Sequence, residues 1–411
     1  MTERAKKIFF LVGFLLFIGL ITYALYAVFF KPTTVPTVSP SLSPTAEPAI
    51  GTLPSAGTAG ERPLLEEQIP GAGGGLLPVS PTAQGGLTAT TPLTLTGVLN
   101  PVRSPDGRSM SYLDPHDGKF YTVDDEGKIR ALLPNAFPNT QQITWSPKTD
   151  KAILEFPDGS NVTVNLSNGK VASLPSHWEN FDFSPDGKQV VAKSIGTDPS
   201  NRWLVIAAPD GSGSQSVAAL GNNAKKVRTS WSPNDQVIAF SDTGSVQSGF
   251  GRKQVLAIGK HQENLPGLVV EGFSFEPLWS PSGKQLLYST HGPTSNYLPQ
   301  VWMTNGESNT LGQNRRSLPL NTWADKCTFT NEQTAYCAVP ERLPPGSGLQ
   351  RELARGIPDR VYRVDTVTGA STLVAIPEHQ QSMTALQVSA DGNTLFFQNA
   401  VSGVLEELRL H

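Results

Sequence analysis

After residue 100 the chain alternates apolar and polar positions in short runs, and one recurring turn punctuates them. Ile143-Thr144-Trp145 leads into Ser146-Pro147-Lys148 and then Ala152-Ile153-Leu154; Trp279 leads into Ser280-Pro281-Ser282-Gly283 and then Leu286-Leu287-Tyr288. Runs of this kind, bounded by Pro, Gly, Asn and Asp, predict short strands joined as hairpins. Proline presets φ at the second turn position, and Asp-Gly or Asn-Asp tolerates the backbone that follows. Copies begin at Ser104, Ser146, Ser184, Ser232, Ser280, Thr330 and Ser389, at intervals of about 38 to about 59 residues, the period of a repeat architecture. A weaker turn lies midway, as after Val162–Leu166 at Ser167-Asn168-Gly169, or after Leu204–Ala207 at Pro209-Asp210-Gly211. Each unit therefore reads as four short antiparallel strands.

One such sheet cannot bury its own faces, whereas seven packed around an axis can. The predicted fold is all-β, a seven-bladed β-propeller of four-stranded antiparallel sheets. The count falls to six if the degenerate Thr330-Asn331-Glu332 copy is an insertion. Only two strands fit after Ser389, at residues 394–398 and 404–410. Pro92–Thr96, just before the first copy, has the alternation to supply a missing outer strand and latch the ring.

The motif Phe183-Ser184-Pro185-Asp186-Gly187-Lys188 and its copies resemble the WD-like repeat of the TolB propeller and its relatives, over roughly residues 90 to 411. The resemblance implies the fold. It implies no activity, because such propellers serve as binding platforms, enzymes and accessory domains. TolB carries a separate domain ahead of its propeller; here a hydrophobic run and a low-complexity stretch take that place.

Residues 1–7 hold Arg4, Lys6 and Lys7 and are followed by an uncharged run, Ile8 to Phe30. As a helix it would reach about 35 Å, enough to span a bilayer. The preceding charges place the N-terminus in the cytoplasm, so residues 8–30 read as a transmembrane signal anchor and the C-terminal part as extracytoplasmic. Residues 31–91 are dominated by Pro, Thr, Ser, Gly and Ala and read as a disordered stalk, with a reach between about 40 and about 190 Å. The propeller is allotted residues 92–411.

Chemistry changes this picture little. The net charge is −3, which argues against a nucleic-acid surface. No Gly-x-Ser-x-Gly elbow, phosphate loop or close His spacing appears, so the sequence points to no catalytic residue, metal or cofactor. Cys327 and Cys337 flank the Thr330 turn symmetrically. They read either as two buried thiols or as a cross-strand disulfide suited to an exported domain.

If the strand before each Ser-Pro turn is innermost, the loops between second and third strands and between blades share the opposite face. These include the long stretches Ser194–Arg202, Ser241–Lys253, Ser289–Gln300 and Ala338–Asp359, and long loops in a compact repeat usually carry function. The candidate binding residues there are His177, Trp178, Phe250, Arg252, His291, Tyr297, Trp323, Asp325, Arg342, Arg351, Arg355 and His379, since aromatics with arginines anchor protein and glycan contacts. Residues 348–355 read as one or two amphipathic helical turns over the channel mouth. The expected role is a non-enzymatic binding or scaffolding module of the cell envelope, its partner another envelope protein or a cell-wall glycan. The alternative is a propeller-type hydrolase or lyase acting on a glycan or peptide at the channel mouth.

Overall fold

The computed structural model describes residues 14–23 and 78–411. Residues 14–23 form a helix with exposed apolar side chains, in a unit separate from residues 74–411. Among the described residues no helix is long and apolar enough to cross a membrane. Most of the predicted span 8–30, and the predicted stalk up to residue 77, lie outside the described residues.

Residues 78–411 build a seven-bladed propeller. Blade 1 runs from Leu99 to Ala136, blade 2 from Gln142 to Leu174, blade 3 from Trp178 to Ala219 and blade 4 from Val227 to Glu271. Blade 5 runs from Phe273 to Ser317, blade 6 from Cys327 to Pro377, and blade 7 from Met383 to Arg409. The degenerate copy at Thr330 is thus the hairpin of a full blade. First strands of blades 1 and 2, 2 and 3, 3 and 4, 6 and 7, and 7 and 1 abut one another, so the first strands line the axis.

Local chemistry explains each hairpin. In five copies the Ser hydroxyl oxygen accepts the backbone N–H that reopens the next strand: from Lys151, Gln189, Val237, Gln285 and Thr394, at 2.9–3.1 Å. The fourth turn residue is left-handed, glycine at 107, 187, 283 and 392 but Thr149 and Asp235 in two copies.

The core lies between blades. Val191, Leu204 and Ile206 of blade 3 pack on Val227, Trp231 and Ile238 of blade 4, and Tyr336 and Val361 of blade 6 pack on Met383, Leu395 and Phe397 of blade 7. Each fully buried side chain of this size contributes about 1.5–3 kcal/mol, which is how small sheets that are individually unstable hold one another.

Closure uses the N-terminal strand. Thr90–Gly97 pairs antiparallel with Val404–Arg409 and completes blade 7. Strand structure starts before residue 92, the predicted boundary of the propeller: Leu87–Thr88 adds a parallel fifth strand to blade 6. The last residues allotted to the stalk therefore belong to the ring.

Candidate functional site

The long loops between second and third strands belong to consecutive blades, 3 to 6, whereas the corresponding connections of blades 1, 2 and 7 are tight turns. They form one arc, and its members are joined. In the blade 6 loop, the N–H groups of Gly346 and Gly348 donate to the Asn296 and Tyr297 carbonyls of the blade 5 loop, at 3.1 and 2.8 Å. Beside it, the Gly272 N–H, between blades 4 and 5, donates to the Gly251 carbonyl at 2.7 Å.

The inner strands of four blades, two of them in the arc, are bulged. Asn100, Asn180, Ser274 and Ala385, in blades 1, 3, 5 and 7, have φ between 44° and 54° and sit where the pairing register slips. A bulge re-aims the residues beside it, and here it turns carbonyls toward neighbouring blades: Trp145 Nε1 donates to the Asn100 carbonyl and Thr229 Oγ1 to the Asn180 carbonyl, both at 2.8 Å.

Blade 4 is the shallow one, with first and second strands of only three residues each, Val227–Thr229 and Ala239–Ser241. Its recess between blades 3 and 5 opens a cavity of about 730 Å³. Asn180, Lys193, Asp242, Ser274 and Phe275 form part of its wall, and a 3-10 turn, Gly221–Lys226, brings Lys225 and Lys226 to its edge beside Arg228. Two cations are neutralised locally: Lys193 by Glu179 at 3.0 Å and Lys253 by Asp242 at 2.5 Å. Lys225, Lys226 and Arg228 have no ion-pair partner among the described residues.

Glu276, on the inner strand Phe273–Trp279, lines the same cavity. Burial, reinforced by Asp325, holds its carboxyl above the ordinary range, while Arg228 and Arg351 pull the other way. Its Oε2 and the Asp242 Oδ1 are buried without a hydrogen-bond partner among the described residues.

Blade 6 supplies the ledge next to Glu276. The Arg351 guanidinium lies over the Trp323 ring at 4.9 Å and reaches Asp325 at 2.7 Å. Below it Lys326 and Asp359, both almost fully buried, are paired at 2.6 Å, and Asp359 also accepts the Met383 N–H at 2.6 Å. Burial lowers the Lys326 ammonium and raises the Asp359 carboxyl, and the pair's mutual attraction opposes both shifts. Met383 belongs to blade 7, so this pair ties blade 6 to its neighbour. A second cavity of about 250 Å³ lies here, with Trp323, Lys326, Arg351, Arg355 and Ser382 in its wall.

The candidates from the sequence divide sharply. Phe250 is 72% exposed, His177, Arg342, Arg355 and His379 are exposed, and Arg252 is half-buried with its Nε 3.5 Å from Glu271. Asp325 and Arg351 come together on Trp323, which is itself buried but walls the smaller cavity. Tyr297 is left-handed at the loop junction. Trp178 and His291 are corrections. Trp178 opens the inner strand of blade 3 and packs against Phe181, while His291 closes the strand Gln285–His291 and packs against Phe273. Both are about 5% exposed, as is Trp323, so none of the three reaches a partner directly, and on the ledge only Asp325 and Arg351 are exposed. The predicted helical turns shrink to one 3-10 turn, Arg351–Ala354.

Sequence reasoning missed Glu276, Lys225, Lys226 and Arg228. No motif marks them; the shortness of the apolar run before Ser232 was the one usable signal.

No protein-family model matches the chain, and no curated protein matches it. Solved structures do. An oligogalacturonate lyase in complex with manganese aligns with TM-score 0.55 at 15% identity, covering 78% of this chain and 93% of that one. The β-propeller domain of Cps50 (Swd1) from Myceliophteria thermophila aligns with TM-score 0.53 at 10% identity, covering 78% and 100%. An oligogalacturonate lyase from Vibrio parahaemolyticus aligns with TM-score 0.51 at 11% identity, covering 78% and 93%. At these identities the likeness shows the propeller fold alone.

Proposed function

We propose that the chain is a membrane-anchored, extracytoplasmic propeller that binds another envelope component through the arc of loops over blades 3 to 6. One observation carries this reading: the predicted aromatic and arginine candidates Trp323, Asp325 and Arg351 form a single stacked and ion-paired ledge beside the mouth. An arginine held over an aromatic face, with its side chain partly exposed, is the make-up of an interface anchor. The apolar run Ile8–Phe30 behind Arg4, Lys6 and Lys7 supplies the anchor, and the bonded Cys327 and Cys337 suit an oxidising compartment.

The test is retention of a partner from detergent-solubilised envelope by the full chain and by its Phe250→Ala/Arg351→Ala/Arg355→Ala variant. Exposed positions were chosen so that the fold survives. A partner held by the wild type and lost by the variant is the expected result; equal retention by both removes the function from this face.

A second reading, a propeller-type hydrolase or lyase, is favoured by Glu276: a half-buried carboxyl with a raised pKa and an unpartnered oxygen in a cavity is what a general acid requires. It predicts turnover of a glycan or peptide that Glu276→Gln abolishes.

A further inference from the structure

We infer that the cavity between blades 3 and 5 is a site for an acidic oligosaccharide, a ligand that is negatively charged and rich in hydroxyl donors. The inference rests on the reading of this face as the binding face and names the chemistry of this cavity.

Three features of the cavity define what fits. Its volume of about 730 Å³ is that of a site for a small ligand or a short stretch of polymer. Its edge presents Lys225, Lys226 and Arg228, cations with no ion-pair partner among the described residues, so an anion gains attraction there without breaking an existing pair. Its interior presents the opposite demand. Glu276 Oε2 and Asp242 Oδ1 are buried acceptors without donors, and an unmade hydrogen bond at a buried carboxylate is costly. A ligand that answers both must carry negative charge at one part and O–H donors at another.

That excludes the simpler anions by chemistry. Sulfate brings charge but no donor, phosphate at most one or two O–H groups on a single centre, and either would face the two carboxylates unfavourably. An acidic peptide brings carboxylates and backbone N–H groups, yet the inner strands beside the cavity already spend their own backbone groups on neighbouring strands and blades, leaving little for an extended chain to pair with. A chain of acidic sugars has a carboxylate and two or more hydroxyls on each residue. Asn180, Thr229 and Ser274 add neutral polar groups around the same opening, and the exposed Phe273 at its rim offers a flat face for a sugar ring. The bulges at Asn180 and Ser274 turn the inner strands here, so the opening follows from backbone geometry as well as from side chains.

The experiment is calorimetric titration of the full chain in detergent with a trimer of uronic acids, the same trimer with its carboxylates reduced to alcohols, and the peptide Glu-Glu-Glu. The expected result is binding of the acidic trimer, weakened by added salt, with the reduced trimer and the peptide each roughly tenfold weaker or more. Lys226→Gln/Arg228→Gln, at exposed positions, weakens the acidic trimer by roughly tenfold or more and leaves the reduced trimer unchanged. Glu276→Gln weakens both trimers and does not weaken the peptide. Equal binding of acidic and reduced trimers, tighter binding of the peptide, indifference to Lys226→Gln/Arg228→Gln, or binding of no probe overturns the inference. If no probe binds while the wild type still retains its partner in the envelope experiment, this inference fails alone; if both fail, the binding-face reading fails with it.

Discussion

At the scale of the residue, two positions carry a measurable cost. Thr149 holds the left-handed turn position that glycine fills in four other copies, and a β-branched residue there is strained. Thr149→Asn is expected to stabilise the propeller by about 1 kcal/mol, read as a higher Tm or urea midpoint; an unchanged or lower value contradicts the strain. Asp182 is the second. Its carboxylate is enclosed and accepts the N–H groups of Trp231 at 2.7 Å and Phe183 at 2.8 Å, and burial pushes its pKa up to about 6. Because the folded pKa lies above the unfolded value of 3.8, the native state holds the proton more tightly, so this group's contribution is fully present below about pH 4 and is lost as pH rises through 6. The difference in unfolding free energy between wild type and Asp182→Asn should therefore shrink by on the order of 3 kcal/mol between pH 4 and pH 7. A pH-independent difference means the carboxyl titrates normally.

At the scale of the element, the hairpins were readable because their cause is local: Ser, Pro and Gly act within six residues. The latch strand Thr90–Gly97 was readable for a topological reason, since two strands after Ser389 left one place unfilled. Exposure was not readable. The pattern puts Trp178 and His291 on loops, but Trp178 opens a strand and the strand Gln285–His291 runs three residues into the loop expected from Ser289, which buries both side chains. The cavity was less readable still. Its wall draws on residues from Gln142 to Glu276, brought together by a shallow blade 4 that only the packed ring reveals. Cys327 and Cys337 stand directly opposite on paired strands and are bonded, so of the two sequence readings the disulfide holds and the free thiols do not; the bond packs with Leu287, Val301 and Val364. Replacing both by alanine should cost about 2–3 kcal/mol from loop entropy, with further loss from packing. Denaturant unfolding measures it, and a loss below about 1 kcal/mol would mean that the hairpin is held by its neighbours alone.

At the scale of the whole molecule, the asymmetry of the ring is the point. Seven similar blades would give seven similar rims, yet the long second-to-third-strand loops and the Trp323–Arg351 ledge fall in the sector of blades 3 to 6, and the Ser-Pro turns themselves are tight. Charge follows the same division, with three unpaired cations at the mouth of a chain whose net charge is −3. The most direct test is covalent side-chain footprinting of the full chain in its native membrane, compared with the same membrane after its partners are stripped. The account predicts protection of Phe250, Arg252, Leu349 and Arg351 on the loop face, with Lys148, Lys188 and Asp210 on the turn face labelled equally in both. Protection of the turn face with the loop face unchanged would contradict it.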